Sequence, residues 1–287
     1  MSYRRRASPL HAARAGAGAA YCLALAVAAL MLSNPVALGA AAIAVGCAGF
    51  AAGVGREMRR AAMFALPLAV LITVVNALVT RNGLTVILRL GDLPLLGRTD
   101  VTLEATAYGA ILGLRAVALI LCGALYTAAV DPDEVMALFR RFSYRSALSA
   151  TIATRMVPVL ARDSRRLADA QRCRPGRPPS RVALMRAATA GVLDRALDVA
   201  AALEVRGYGA SRRPRAGQRP YSRHDLAFYG SALAVVAVAV CGRIAGLASF
   251  QAYPSLQVSV GAGVVAVGCG LVACALAPLT DRWGIER

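Results

Sequence analysis

From Ala15 to Gly55 the chain carries no charged residue over 41 positions. As one helix this run would rise about 60 Å, twice the hydrocarbon thickness of a bilayer. Near its middle stands Ser33-Asn34-Pro35, which is turn chemistry. The run therefore predicts a hairpin of two membrane spans, about 16–32 and 36–55. It does not read as a cleaved signal peptide, because no short apolar core ends at a convincing cleavage site.

Composition makes the same demand on the whole chain. Among 287 residues, 58% are hydrophobic and 17% charged, against about 45–50% and about 25% in soluble domains. A soluble protein of this size has no interior large enough for that apolar surface. Ala61–Thr80 predicts a third span with Pro67 tolerated inside it. Ala105–Val130 predicts a fourth, carrying Arg115, and Leu226 to about Leu247 a fifth. Tyr253-Pro254-Ser255 turns the chain into a sixth, about 256–278. Arg81–Thr102, with Gly, Pro and charges of both signs, reads as a polar connection.

The 33 basic residues are all Arg and outnumber 15 acidic ones. A complete absence of Lys beside abundant Ala and Gly reads as base composition, so most of these Arg carry no special guanidinium chemistry. Their distribution is informative. Arg4, Arg5, Arg6 and Arg14 precede the first span, Arg56, Arg59 and Arg60 link the second to the third, and Arg282 and Arg287 follow the sixth. The Ser33 turn and the 249–255 turn carry none. The positive-inside rule then predicts a multi-pass plasma-membrane protein with both termini and the 131–225 segment in the cytoplasm. Three parts follow: a four-span membrane part at 1–130, a cytoplasmic segment at 131–225, and a two-span membrane part at 226–287. The fold class expected is an all-α integral membrane protein of about six transmembrane helices.

No metal or cofactor site is expected. Six of seven Cys (Cys22, Cys47, Cys122, Cys241, Cys269, Cys274) lie in apolar stretches and read as small packing residues. The two His, His11 and His224, lie in polar flanks. There is no phosphate loop of the GxxxxGK[ST] type, no HExxH and no nucleophile elbow. The best enzymatic alternative is an integral-membrane transferase acting on an isoprenoid or lipid phosphate. It needs paired acids to hold Mg²⁺, and only Asp163 with Asp169, or Asp194 with Asp198, qualify. Nucleic acid is not an expected partner, since no aromatic series accompanies the Arg. Arg212, Arg213, Arg215 and Arg219, just before the fifth span, suit anionic lipid headgroups.

The 131–225 segment holds 19 Arg and nine acids. Asp131-Pro132-Asp133-Glu134 starts a short helix, about 132–142, with Asp as N-cap and Pro at the first helical position. A longer amphipathic helix runs from about Ser146 to Cys173, with Ile152, Met156, Val159, Leu160 and Leu167 on its apolar face. A second, about Ser180 to Val205, has Val182, Met185, Val192, Leu193, Leu197, Ala200 and Leu203 as apolar positions. Arg174 is followed at once by Pro175-Gly176, and Arg206 by Gly207-Tyr208-Gly209. A guanidinium at a helix C-terminus gains about 0.3–1 kcal/mol from the macrodipole. A chain break immediately beyond it also leaves its fork of donors projecting, which suits an acidic groove.

Ala201-Ala202-Leu203-Glu204-Val205-Arg206-Gly207-Tyr208-Gly209, ending a cytoplasmic helix in this span pattern, resembles the T component of energy-coupling factor transporters, the CbiQ/EcfT-like family. That family carries an Ala-Arg-Gly-type signature at the end of each of two coupling helices. The second matches Val205-Arg206-Gly207. The first falls at Cys173-Arg174-Pro175, which keeps the Arg and loses both small neighbours. The resemblance implies a coupling subunit without chemistry of its own. It implies two ATP-binding-cassette subunits docked at Arg174 and Arg206, with Glu204 and Gly207 beside the latter. It also implies a membrane-embedded substrate-binding S subunit, for uptake of a vitamin or transition-metal ion. Arg115 is a candidate for contact with that S subunit or for pairing within the bundle.

Overall fold

The structure, a computed structural model, describes residues 6–80, 85–93, 97–139, 144–173, 181–207, 221–247 and 261–280. These form α1 (Pro9–Ala12), α2 (Ala15–Met31), α3 (Pro35–Ala51), α4 (Gly55–Val79), the strands β1 (Val86–Leu93) and β2 (Gly97–Thr102), and then eight-residue to 29-residue helices. The latter are α5 (Leu103–Ala129), α6 (Pro132–Phe139), α7 (Tyr144–Arg172), α8 (Arg181–Val205), α9 (Arg223–Ile244) and α10 (Ala262–Thr280). The chain divides into two compact units, Met1–Val135 with Tyr221–Arg287, and Met136–Pro220.

The first unit is an all-α membrane bundle. Four of its helices, α4, α5, α9 and α10, are long and apolar enough to cross a bilayer, and α2 and α3 are shorter apolar helices of 17 residues each. The turn between α2 and α3 follows from its residues. Asn34 is buried, its Oδ1 accepts from the Val36 N–H at 3.0 Å, and Pro35 supplies the first helical position. At the other end of α3, Gly53 adopts φ 76°, its N–H donates to the Phe50 carbonyl, and the Val54 N–H donates to the Gly49 carbonyl. That is a Schellman turn, and its left-handed position suits glycine. The helix that carries the third span consequently begins at Gly55, six residues ahead of Ala61. Arg56, Arg59 and Arg60 are not a linker but exposed residues on the first turns of α4. Arg6 fastens the preceding chain here, donating to the Gly53 carbonyl and to Glu57 Oε1.

The connection between α4 and α5 departs from expectation in being partly strand. β1 and β2 pair antiparallel, with Val86 opposite Thr102 and Leu93 opposite Gly97, and bulges between. Below the hairpin, Thr102 caps α5 by accepting from the Ala105 N–H at 3.3 Å. Glu104, buried, receives the Thr85 hydroxyl at 2.8 Å. The 249–255 turn and residues 256–260 of the expected sixth span lie outside the described residues.

The bundle core lies where α2, α3, α5, α9 and α10 meet. Tyr21 of α2 stands edge-on to Phe228 of α9, ring centroids 5.2 Å apart, and its hydroxyl donates to the Ala275 carbonyl of α10 at 2.7 Å. A buried Tyr needs such a partner for its polar end. Around this pair most positions are Ala, with Leu25, Leu125, Val235 and Leu271 filling the gaps. Cys22 and Cys122 join that core, whereas Cys47, Cys241 and Cys269 are exposed on the outside of their helices. Those three are small enough and apolar enough to face lipid.

The helix α4 is peripheral. It packs along α5 and leaves Phe64, Val70 and Val79 exposed. Gly109 and Gly113, four residues apart on α5, make that packing close. A Cβ on Gly113 would stand 2.8 Å from the Ala69 carbonyl oxygen, and one on Gly109 would stand 2.9 Å from the Asn76 Cβ and 3.0 Å from the Thr73 Cα. This is the small-xxx-small contact by which membrane helices gain dispersion where no hydrophobic driving force exists. Asn76 lies in this contact, and its Oδ1 accepts from the Thr80 hydroxyl at 2.9 Å.

Gly113→Ala is therefore expected to destabilise the bundle by about 1–3 kcal/mol through overpacking against backbone. Gly123→Ala, on the same helix with no atom within 4 Å of its added Cβ, is the matched control and should be neutral or slightly stabilising. Thermal loss of monodisperse protein in detergent measures both. Equal midpoints for Gly113→Ala and the unaltered chain would rule out the close α4–α5 contact.

Candidate functional site

Two places gather the charged residues of interest, one in each unit. In the second unit, α7 carries its expected face. Ile152, Met156, Val159, Leu160 and Leu167 are half-buried, whereas Arg155, Arg162, Arg165, Arg166 and Arg172 are exposed. The helix ends with the Cys173 N–H donating to the Asp169 carbonyl at 3.2 Å. Arg174 lies outside the described residues, so its placement adds nothing to the reading of the first signature.

The arrangement of α8 differs from its sequence pattern. The cleft it forms with α7 is lined by Ala188, Gly191, Val192 and Arg195 from α8 and by Leu160, Asp163 and Leu167 from α7. Val182, Met185, Leu193 and Leu197, expected to be packed, are 63–68% exposed. The large apolar residues Val182, Met185, Leu193 and Leu197 stand away from that cleft and are uncovered. Arg195 Nη1 donates to Asp163 Oδ2 across the cleft. That pair ties α7 to α8, and it takes Asp163 out of the paired-acid alternative. Asp169 pairs with Arg172 at 3.7 Å on an exposed surface, which is ordinary helix chemistry. Asp194 and Asp198 are exposed on α8.

The end of α8 bears the second signature. The Gly207 N–H donates to the Glu204 carbonyl at 2.9 Å and Gly207 takes φ 74°, so the helix closes through a left-handed glycine. Arg206 occupies the C-cap, its N–H on the Ala202 carbonyl at 3.2 Å, and its side chain is exposed. Glu204 is exposed, and Val205 is 89% exposed. Exposed Glu204, Val205 and Arg206 thus end a helix that closes at Gly207.

In the bundle, the charges gather at the two ends of α2. At its C-terminus, Arg115 from α5 donates from Nη2 to the Leu32 carbonyl at 2.9 Å and reaches Ser33 Oγ at 3.5 Å. Arg243 from α9 donates to the Met31 carbonyl at 2.8 Å. These guanidiniums satisfy carbonyls that have no partner inside the helix. Arg115 is engaged with the α2–α3 turn of the bundle.

At the N-terminus of α2, the Arg14 N–H donates to Asp225 Oδ1 at 2.6 Å and the Ala15 N–H donates to Glu134 Oε2 at 3.1 Å. Asp225 also closes a capping box with Ser222 at the start of α9. The Arg14 guanidinium lies 4.1 Å from the Tyr221 ring centroid and 3.6 Å from Asp225 Oδ2. Neither acid was distinguishable by sequence, apart from Glu134 as a first-turn acid, because their partners are backbone groups 119 and 211 positions away. Gly109-x-x-x-Gly113 was a legible signal that spacing alone could have raised.

The structure is thus a polytopic helical membrane bundle and a second helical unit in which α8 ends at Arg206. The chain belongs to the CbiQ family of cobalt transport proteins, whose family model matches residues 6–216. That match takes in Arg115, Arg174, Glu204, Arg206 and Gly207. A comparison with curated proteins gives no match. The family is one of multi-pass membrane components of cobalt and energy-coupling-factor-type transport in ABC-type complexes, and not one of enzymes.

The Asp163–Arg195 pair is a third exposed on each side, so its coupling energy should be only about 0.2–1 kcal/mol. Asp163→Arg and Arg195→Asp should each lower the thermal midpoint, and the double exchange should restore most of the loss. A double variant as unstable as the two losses added together would remove the pair as an α7–α8 tie.

Proposed function

We propose that this chain is the coupling subunit of an energy-coupling factor transporter. It passes ATP-driven motion from two ATP-binding-cassette subunits to a membrane-embedded substrate-binding S subunit, for uptake of a vitamin or transition-metal ion. The observation that carries the proposal is the exposed Arg206 at the C-cap of α8, with Gly207 turning the chain away beyond it. A bidentate fork at a free helix tip suits a carboxylate-lined groove on an ATPase subunit. Arg174, at the corresponding place after α7, is proposed as the second docking residue. Val182, Met185, Leu193 and Leu197 give α8 an apolar side suited to an apolar partner, and the S subunit is the partner proposed for it.

The orientation belongs to the same proposal. The positive-inside distribution puts both termini and the segment around α7 and α8 in the cytoplasm, where ATP is. In a background with its seven Cys replaced, a Cys at Asp92 should react with an impermeant maleimide on intact cells, and one at Ser211 only after permeabilisation. The opposite pattern would defeat the coupling role together with the orientation.

Arg206 supplies the direct test. Arg206→Ala should cost about 2–5 kcal/mol of docking energy, because it leaves a buried acid on the partner unpaired. Arg206→Glu should be worse, and Arg206→Lys should fall between Ala and the unaltered chain. Arg174→Glu should follow in the same direction more weakly. Arg165, exposed on α7 away from the tip, is the control, since Arg195 has a partner. The measurement is retention of coexpressed ATPase subunits on the purified chain, with membrane levels matched. Retention unchanged in Arg206→Glu and lost in Arg165→Glu would move the docking site elsewhere.

A further inference from the structure

The residues Asp131–Glu134 and Tyr221–Asp225 are the last stretches of the bundle unit on either side of residues 136–220. Each places one carboxylate on the same helix end. Glu134 accepts from the Ala15 N–H at 3.1 Å and Asp225 from the Arg14 N–H at 2.6 Å. The contact is unusual for a helix start, because Arg14 is the N-cap of α2 and makes no capping bond with its own side chain. A Ser, Asp or Asn at that position would cap locally, and the caps come instead from positions 119 and 211 residues away. Two carboxylates at a helix N-terminus gain from its partial positive charge as well as from the N–H groups. Asp225 is fully buried, and it is shared between Arg14 and the Ser222 capping box. Tyr221 closes the set from the side, its ring against the Arg14 guanidinium.

We infer that Glu134 and Asp225 are positioning residues of the coupling mechanism. They form a two-carboxylate clamp that fixes both chain crossings of the 136–220 unit to the start of α2, so that displacement of that unit loads α2 directly. Covalent continuity alone would deliver such a displacement to α5 and α9. The clamp adds the central helix, whose far end is held by Arg115 and Arg243. This inference rests on the coupling role proposed above.

The test uses the complex coexpressed with its ATPase and S subunits. A bimane fluorophore on Leu30→Cys, 54% exposed near the far end of α2, reports motion of that helix in a background free of other Cys. Mg-ATP with vanadate should shift its emission in the otherwise unaltered complex. In Glu134→Leu/Asp225→Asn the shift should shrink by about fivefold or more, while the ATPase subunits remain bound and hydrolysis continues. Glu134→Gln, which keeps an acceptor for Ala15, should fall between Glu134→Leu and the parent. Because Asp225 is buried and its variant could fail to assemble, the Glu134 pair of variants carries the test by itself, at a half-buried position. A merely structural role would lower the thermal midpoint and leave the shift per assembled complex unchanged, and that result overturns the clamp. So does a parent complex that hydrolyses ATP with no shift at Leu30. Loss of the ATPase subunits from the parent complex defeats the coupling role itself and the clamp with it.

Discussion

Every helix in an apolar medium must find partners for the backbone groups left over at its two ends, and α2 is the helix on which this bundle resolves that demand. Its N-terminal N–H groups meet Asp225 and Glu134, and its C-terminal carbonyls meet Arg243 and Arg115. The signs are those that the helix macrodipole favours at each end. These four side chains come from α6, α9 and α5, so satisfying one helix fixes the register of three others. Tyr21, nearly two turns in from the acids, then seats on Phe228 and Ala275 and fixes α10.

Small residues do the remaining packing. Ala lines most of the core around Tyr21, and Gly109 with Gly113 lets α4 approach α5 to backbone contact. In lipid this is the available route to helix association, since apolar side chains gain little by leaving acyl chains. Between α7 and α8, Ala188, Gly191 and Val192 line the cleft, and Met185, Leu193 and Leu197 face out. In the bundle outward apolar residues meet lipid. On α8 they form the apolar side that the proposed coupling role assigns to a partner.

Much of the architecture was legible because it rests on local chemistry. The uncharged run from Ala15, Asn34-Pro35, the Asp131-Pro132 start and the Gly207 stop each act within a few residues, and each appears where the pattern places it. The misreadings have the same physical form. Arg56–Arg60 looked like a linker because charge was taken to end a span, whereas α4 extends its polar first turns beyond the apolar stretch. Val86–Leu93 was read as polar connection because Gly91 and Asp92 masked its strand character. The pairing of Arg195 left no mark in its own neighbourhood because its acid, Asp163, lies on another helix. The tip at Arg206 could be found by spacing. The acids Glu134 and Asp225 could not be assigned their role, since a backbone N–H more than a hundred residues away leaves no mark in the neighbouring sequence.

The length of α2 has a consequence for the membrane around it. Seventeen residues rise about 25 Å, whereas a bilayer core is about 30 Å thick. Together with the 17-residue α3, it makes a hairpin that stops short of one leaflet surface, with two guanidiniums at the turn. Lipid there must thin, or headgroups and water must dip to meet Arg115 and Arg243. The bundle therefore has a shallow side. Acyl-chain length, a property of the host membrane and not of the sequence, sets how much deformation energy is stored beside the hairpin and how freely it tilts.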